Sequence, residues 1–514
     1  MAYTRINLLK QCFTLHPVGQ GFFYSGVVTA EGKTGNSNPF KFVFDCGSMT
    51  KGAGYEEADT FRRNYLEASG RLDMLVVSHF DGDHVNQIGT LLQRKVKVDH
   101  LILPFTLFEE RLFLVLKHFL RKGVAPADEE REDSFFIQFV LDPLGTLREN
   151  LDGDSTVYLV TGDPRPASEG SDGDGKGFPG RKGRDTERTD APRMDFGFGS
   201  LGRKATAKDR VFFGTKAMTV SEQLRIVKDS EKGYIHLINE GVNVMEFLFY
   251  RRRITKRERV FYKDIFQRFC AHFGIKNGSS PEAVQKEILE KLRSLRGGTT
   301  LRKKIYWAAI TVFAADLEIL AKDAENLNTT ALSMLHLNPT YYESLAATLL
   351  PHGQADGLYY QRRTGLIQKF DGTNKTRIEH NLFPYHSFHG DYEPYYDRDF
   401  FPNCLLTSDS FLLHQTEVDA FFHRYQAYWQ RFWLFQIPHH GSKKNANRNL
   451  FTRVNRSARK FINYGIHHWA LSHYSHPDPE IFDELRIAGC CSDIIAVNEY
   501  LGFHFSFTLS AYQH

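Results

Sequence analysis

Residues Leu75–Ile88 read "LVVSHFDGDHVNQI". An apolar run ends there in His79-x-Asp81-x-Asp83-His84, two imidazoles and two carboxylates packed into one short stretch. The preceding "LDMLVVS" predicts a strand buried on both faces. Alternate strand residues share a face, so His79, Asp81 and Asp83 are expected to point one way as the chain leaves the sheet, with His84 at the next turn. Imidazole nitrogen and carboxylate oxygen suit Zn²⁺, Mn²⁺ or Fe²⁺. Ligands this dense serve two ions lying close together, which acidify a bridging water enough to supply hydroxide near neutral pH. A polar loop with hydrogen-bonded histidines is the plainer alternative. It is disfavoured because so many charged groups at a strand end are costly without a compensating cation.

Outward from this stretch, "GFFYSGVVTA" and "FKFVFDCGS" predict strands, "GYEEADTFRRNYLEAS" a helix and "KVDHLILP" a further buried strand. The alternation suggests a mixed sheet with covering helices. From about residue 106 the character changes. Residues 106–305 are expected to form a large, mainly helical insertion. It contains a Gly- and charge-rich flexible loop over 168–204, a cationic stretch "RRRITKRER" (Arg251–Arg259), and a helix capped by Ser280 with Pro281 in its first turn and Gly297 at its end. The cationic stretch suits phosphate contacts or, more commonly, a solvated helix face. Strand character returns in "TALSMLHL", "NCLLTSDS", "FWLFQIPHHGS", "KFINYG" and "IIAVNEY", separated by the helical "QTEVDAFFHRYQAYWQ" and "DPEIFDELRIAG". Residues 1–105 and 306–514 are therefore expected to be the two halves of one α/β domain.

Composition narrows the class. The chain has 514 residues, 41% hydrophobic and 14% aromatic, enough for a large core. No apolar run approaches the roughly 18 residues of a membrane span, and the first residues do not read as a secretory signal. Its six cysteines, Cys12, Cys46, Cys270, Cys404, Cys490 and Cys491, form no CxxC pair, which suits reduced thiols and a cytoplasmic setting. The net charge of +4 neither requires nor excludes an anionic partner.

"SHFDGDH" resembles the signature of the metallo-β-lactamase superfamily, and Asp81 in place of the more usual histidine resembles its ComEC-like branch. Further marks follow in order: "VGQGF" (Val18–Phe22), "FDCGS" (Phe44–Ser48), "NLNTTALSML" (Asn326–Leu335), "LLTSDS" (Leu405–Ser410), "QIPHHGSKKN" (Gln436–Asn445) and "HYSHPDPEIFDEL" (His473–Leu485). The resemblance implies an αββα sandwich. It also implies two divalent metal ions, zinc foremost, with manganese or iron as alternatives. One ion would take His79, Asp81 and a histidine of the "HHGS" loop; the other would take Asp83, His84 and His476; Asp409 would bridge them. Asp45 and Ser442 would support the site. His439 and His440 are adjacent, so in an extended chain they diverge. One, His440 in this reading, would be a ligand, and the other would hydrogen-bond a scissile phosphate or donate a proton. Asp163, in "TVYLVTGDPRP", is a competitor for the role of Asp409. The chain departs from the pattern at Phe22, Asn86, Gln87 and Ser408. His386, His389 and Asp391 lie among aromatics that suit either nucleobase stacking or a packed loop.

The resemblance thus implies a water-activating hydrolase with Asp83, His439 and His440 at its catalytic centre. The expected reaction is phosphodiester cleavage of DNA or RNA, in the manner of a nuclease in a bacterial antiviral defence system. A regulatory protein partner would bind through the insertion, and no membrane would be involved. Two other readings are a hydrolase of a nucleotide, small phosphoester or lactone, and a metal-stabilised binding module.

Overall fold

The computed structural model describes residues 6–32, 35–50, 52–122, 130–162, 193–200, 202–204, 224–238, 242–272, 274–275, 283, 286–288, 330–337, 354–361, 367–369, 403–429, 432–455, 458–466, 476–490 and 494–510. In chain order the strands are β1 (Ile6–Leu15), β2 (Phe23–Gly32), β3 (Gly35–Asn36), β4 (Phe40–Cys46), β5 (Arg71–Val76), β6 (Lys97–Pro104), β7 (Thr156–Thr161), β8 (Met194–Phe198), β9 (Arg203–Lys204) and β10 (Leu224–Lys228). They continue with β11 (Lys232–Leu237), β12 (Val242–Arg251), β13 (Leu332–Leu337), β14 (Gln354–Gln361), β15 (Ile367–Lys369), β16 (Cys404–Leu406), β17 (Leu434–Gln436), β18 (Arg459–Asn463), β19 (Ile494–Val497) and β20 (Leu501–Ser510).

These strands form two sheets. A 12-stranded sheet runs β15-β14-β20-β1-β2-β4-β5-β6-β7-β10-β9, with β3 paired to β2; an 8-stranded sheet runs β19-β18-β17-β16-β13-β12-β11-β8. Within the first, β4, β5, β6, β7 and β10 are parallel neighbours. Within the second, β16, β17, β18 and β19 are parallel. The fold is mixed α/β with two large sheets.

Side-chain alternation sets the layers. In β4, Phe40, Phe42 and Phe44 enter a core shared with the second sheet, whereas Val43 and Cys46 enter one shared with helices. Along β12, Met245, Phe247 and Phe249 face the first sheet, and Leu248 and Tyr250 face helices on the other side. One core therefore lies between the sheets, and a helix-covered core lies on each outer face. Asp45 breaks the alternation: its φ of 56° puts Phe44 and Cys46 on opposite faces.

The segment 106–305 differs from the expected mainly helical insertion. It does contain helices Phe108–Lys122, Glu130–Leu141, Pro143–Thr146 and Lys256–His272. But it also supplies β7, β9 and β10 to the first sheet and β8, β11 and β12 to the second. Its strands carry the apolar alternation that both sheets need, as Phe196, Ile235 and Phe247 in the shared core illustrate. Of the expected flexible loop 168–204, the chain from 193 enters β8, and 168–192 lies outside the described residues. Most of the helix expected from Ser280 lies outside them too, as do Asp163, His386, His389 and Asp391. Among the described residues, no helix is long and apolar enough to cross a membrane.

Candidate metal centre

The site forms where the carboxyl ends of both parallel strand sets meet, the place where α/β sheets gather ligands. Asp45 ends β4, and Ser78 and His79 follow β5. Ser408 and Asp409 follow β16, His439 and His440 follow β17, and Asn463 ends β18. β5 stops at Val76, so strand alternation does not align His79, Asp81 and Asp83. Asp81 is extended, and the chain then turns into a short helix, Gly82–Val85, that carries Asp83 and His84.

Asp409 is the centre. Its Oδ1 lies 3.3 Å from His84 Nε2 and 3.9 Å from His440 Nε2, and its Oδ2 lies 3.5 Å from His79 Nε2 and 3.4 Å from His439 Nε2. His440 Nε2 is also 3.3 Å from Asp83 Oδ2. These separations exceed those of ordinary N–H···O bonds. All but the 3.9 Å separation lie close to the edge of a coordination tetrahedron, where ligands ~2.0–2.1 Å from one ion sit ~3.3–3.4 Å apart.

The opposite ring nitrogens explain why. His84 Nδ1 donates to Asp45 Oδ2 at 2.8 Å, His439 Nδ1 to Asn445 Oδ1 at 2.6 Å, and His440 Nδ1 to the Asn463 carbonyl at 2.9 Å. The Asn463 amide nitrogen, 3.0 Å from the same His440 atom, donates to Gly21 O at 2.5 Å. His79 Nδ1 donates to Ser78 Oγ at 2.9 Å, since that hydroxyl spends its own proton on Asp45. With the proton on Nδ1, each ring turns an Nε2 lone pair toward Asp409. Four lone pairs around a carboxylate repel unless positive charge, a further ring proton or a cation, lies between them. Imidazoles held in this way by carboxylate and carbonyl acceptors are the usual arrangement of metal-ligating histidines. The Nε2 atoms of His79 and His84 are buried without a hydrogen-bond partner.

Backbone strain supports the arrangement. Among the described residues, six non-glycine residues have positive φ, and four of them are Asp45, Ser408, His439 and His440. Such conformations persist where the surrounding structure over-determines them. They also revise one expectation. His439 and His440 do not diverge, because φ values of 47° and 54° turn both rings toward Asp409.

A buried polar lattice connects the two sheets beneath these ligands. Ser408 Oγ donates to Ser78 Oγ at 2.7 Å, Ser408 N donates to Gln436 Oε1 at 2.7 Å, and Gln436 Nε2 donates to Asn463 Oδ1 at 3.0 Å. Asp45 also accepts Ser78 N at 2.6 Å, so both its oxygens are engaged and it supports His84 from behind. Gly47 permits close approach here: a Cβ would lie 2.5 Å from the Asp83 carbonyl carbon and from His84 N.

Charge is concentrated to match. Burial would raise the Asp409 carboxyl, but His439 and His84 outweigh it and hold it well below the usual range. Burial would lower His84, but Asp409 and Asp83 push it well above its ordinary value. The field therefore favours positive charge between these groups. Three sets of ligand atoms could each hold a cation: Asp45 with His79 and His84, Asp83 with His84 and His440, and His79 with Asp81 and Asp409. The side chains of Asp81, Asp83, His439 and His476 are 15%, 17%, 20% and 17% exposed and form the open mouth.

The remaining expected residues fall nearby. The His476 ring is 5.5 Å from that of His439, and its Nδ1 lies 3.4 Å from Asp478 Oδ2. Burial and the two neighbouring histidines lower it to about 3, so it is neutral. Ser442 Oγ accepts from Lys444 N at 3.3 Å and shapes the loop after His440. Phe22 packs in the core between the sheets, while its backbone N–H holds Asp83 O at 3.0 Å. Asn86 is tied to the Ser48 backbone at 2.9 and 2.6 Å. Sequence reasoning missed Ser78, Gln436, Asn445, Asn463 and Lys117, whose Nζ lies 3.9 Å from Asp81 Oδ2. Ser78, Gln436 and Asn445 stood inside the quoted motifs and Asn463 in the strand "KFINYG", but Lys117 lay in a helix with no motif of its own.

Compared with protein-family models, curated proteins and solved structures, the chain matches none.

Proposed function

We propose that this chain is a hydrolase of the metallo-β-lactamase type that activates water at a two-cation centre and cleaves phosphodiester bonds in DNA or RNA. The observation that carries the reading is Asp409, each of whose oxygens faces two imidazole Nε2 atoms. Asp409 would bridge. His79, Asp81 and His439 would hold one ion, and Asp83, His84 and His440 the other. Both "HHGS" histidines thereby become ligands, and His476 at the mouth is left to hydrogen-bond a substrate oxygen. The nitrogen-rich donor set favours zinc, with manganese or iron as alternatives. When bound, two such ions lower the pKa of a water held between them and offset charge on a phosphoryl group. The chain's own contribution is rigidity: Asp45, Asn445 and the Asn463 carbonyl fix the ring tautomers, and the strained turns hold both neighbouring histidines on one carboxylate. Two sheets sharing one core, with helices outside, support the αββα part of the reading.

The test is cleavage of end-labelled single-stranded DNA, duplex DNA and RNA with Zn²⁺, Mn²⁺ or Mg²⁺, comparing wild type with Asp409→Ala. Metal-dependent cleavage that falls by more than the ~100-fold expected from losing an outer hydrogen bond alone supports the reading. A metal-replete protein that cleaves none of the three shifts the substrate to a small ester or lactone. Failure to bind any divalent metal overturns the reading altogether.

A further inference from the structure

The cationic stretch begins near the metal centre, although it stands far from it in sequence: Arg251 is paired with Leu332, whose N–H donates to Ser78 O at 2.8 Å. The Lys256–His272 helix packs on the Phe108–Lys122 helix through Phe108 against Phe266, at 6.1 Å, and Phe113 against Phe261 and Tyr262, at 5.6 and 5.7 Å. Moving five residues up one helix moves five down the other, so the pair is antiparallel. Continued to Lys117, the register reaches Arg257. Lys117 is the residue that approaches Asp81 at the mouth. The first turn of the Lys256–His272 helix is therefore level with the site. Packed helices lie ~8–10 Å apart, and adding the reach of Lys117 puts that turn about 15–20 Å from Asp81.

The outer face of this helix is basic. At 100° per residue, Lys256, Arg259, Val260, Lys263 and Gln267 share one stripe, with Arg257 at its flank. All six are exposed. Tyr262, Ile265 and Phe269 occupy the opposite, buried face. The two acidic residues within this part of the helix are engaged elsewhere: Glu258 bonds Arg252 and the Thr255 N–H, and Asp264 pairs with Arg268. Arg253, just before the helix, is exposed as well. Lys256, Arg259 and Lys263 thus place three cations on one exposed stripe that carries no acidic residue. A merely solvating face would be expected to mix signs.

We infer that this helix face is a docking track for a nucleic-acid strand, carrying its phosphates toward the metal centre. The inference rests on the phosphodiesterase reading for its direction and on the helix itself for its chemistry. The stripe is turned away from the face that packs on the Phe108–Lys122 helix, so a strand lying on it reaches the mouth around the start of the helix, a path of more than about five nucleotides at ~3.4 Å each. The site would accordingly prefer a polymer to a small diester.

The test is binding of a labelled 20-nucleotide DNA or RNA strand by fluorescence anisotropy in EDTA, across a salt series. The wild type is compared with Lys256→Ala/Arg257→Ala/Arg259→Ala/Lys263→Ala, whose four positions are exposed; circular dichroism confirms the variant's fold. Losing four phosphate contacts should flatten the slope of log K against log salt by roughly 3, at ~0.7 per contact for single strands. Affinity at low salt should fall at least tenfold. Equal slopes and affinities in a folded variant would overturn the track. Wild-type cleavage of the same labelled strand, run alongside with metal, reports on the catalytic reading separately. If it is absent while the variant still loses strand binding, the catalytic reading fails and the track stands.

Discussion

Replacing Asp45 by Asn changes one atom in the buried support of the centre, and its effect can be worked through bond by bond. Oδ1 accepts Ser78 N–H at 2.6 Å, so the amide oxygen must stay there. The new NH₂ then takes the place of Oδ2, facing Ser78 Oγ and His84 Nδ1. Ser78 Oγ can rotate, but His84 Nδ1 must become an acceptor. Its proton moves to Nε2, the atom aimed at Asp409. Metal binding must then reverse that tautomer and leave the amide facing a donor. A hydrogen bond to a charged group contributes ~1.5–3 kcal/mol, which converts to about 10- to 150-fold in affinity at ~1.4 kcal/mol per decade. The assay is competition for Zn²⁺ against a chromogenic chelator, with metal content measured in parallel. Thermal unfolding in EDTA separates a loss of ligation from a loss of fold. Wild-type zinc affinity in a folded Asp45→Asn protein would refute the reasoning.

Other consequences follow from the same geometry. Gly47→Ala forces a methyl against the Asp83–His84 peptide at 2.5 Å; it should cost about 1–3 kcal/mol in denaturant melts and weaken metal binding as well. Asp409→Ala should empty both halves of the centre, whereas His439→Ala should spare the half built on Asp83 and His84; metal-to-protein ratios measure the difference. Burial, opposed by Arg251, pushes the Glu110 carboxyl from 4.5 up to about 7. The folded protein therefore holds that proton more tightly than the unfolded chain. The stability it confers is complete below about pH 4.5 and lost as pH rises through about 7, a change of roughly 3 kcal/mol. Chemical denaturation in EDTA at pH 5 and pH 8 should show a larger drop for wild type than for Glu110→Gln, and equal drops would reject this account.

Much of the architecture was legible locally. Apolar runs such as "LDMLVVS" and "FKFVFDCGS" carry the period of buried strands, and β5 and β4 occupy them. "QTEVDAFFHRYQ" and "DPEIFDELRI" carry the helical period, and helices Gln415–Arg424 and Pro479–Ile487 form there. The middle of the chain was harder to read. Its strands are divided between two sheets, with β10 in one and the next strand in the chain, β11, in the other, so no local window reveals that 106–305 completes both. The divergence expected of His439 and His440 failed for a related reason. It assumed extended backbone, and left-handed φ at successive non-glycine residues is not predictable without the contacts that enforce it.

The sequence by itself determined which groups were available for chemistry: the imidazoles and carboxylates of "SHFDGDH", "LLTSDS" and "PHHGS", each at the end of an apolar run that had to become a strand. Only the tertiary structure decided how they meet. His440 and Asp83 stand 357 positions apart, Ser408 and Asp45 stand 363 apart, and Asn463 reaches Gly21 across 442. Residues so distant are brought within hydrogen-bond range only when two sheets close over one core. Each ring tautomer is fixed within its own half of the molecule, and the closure brings His79 and His84 of one half onto Asp409 of the other.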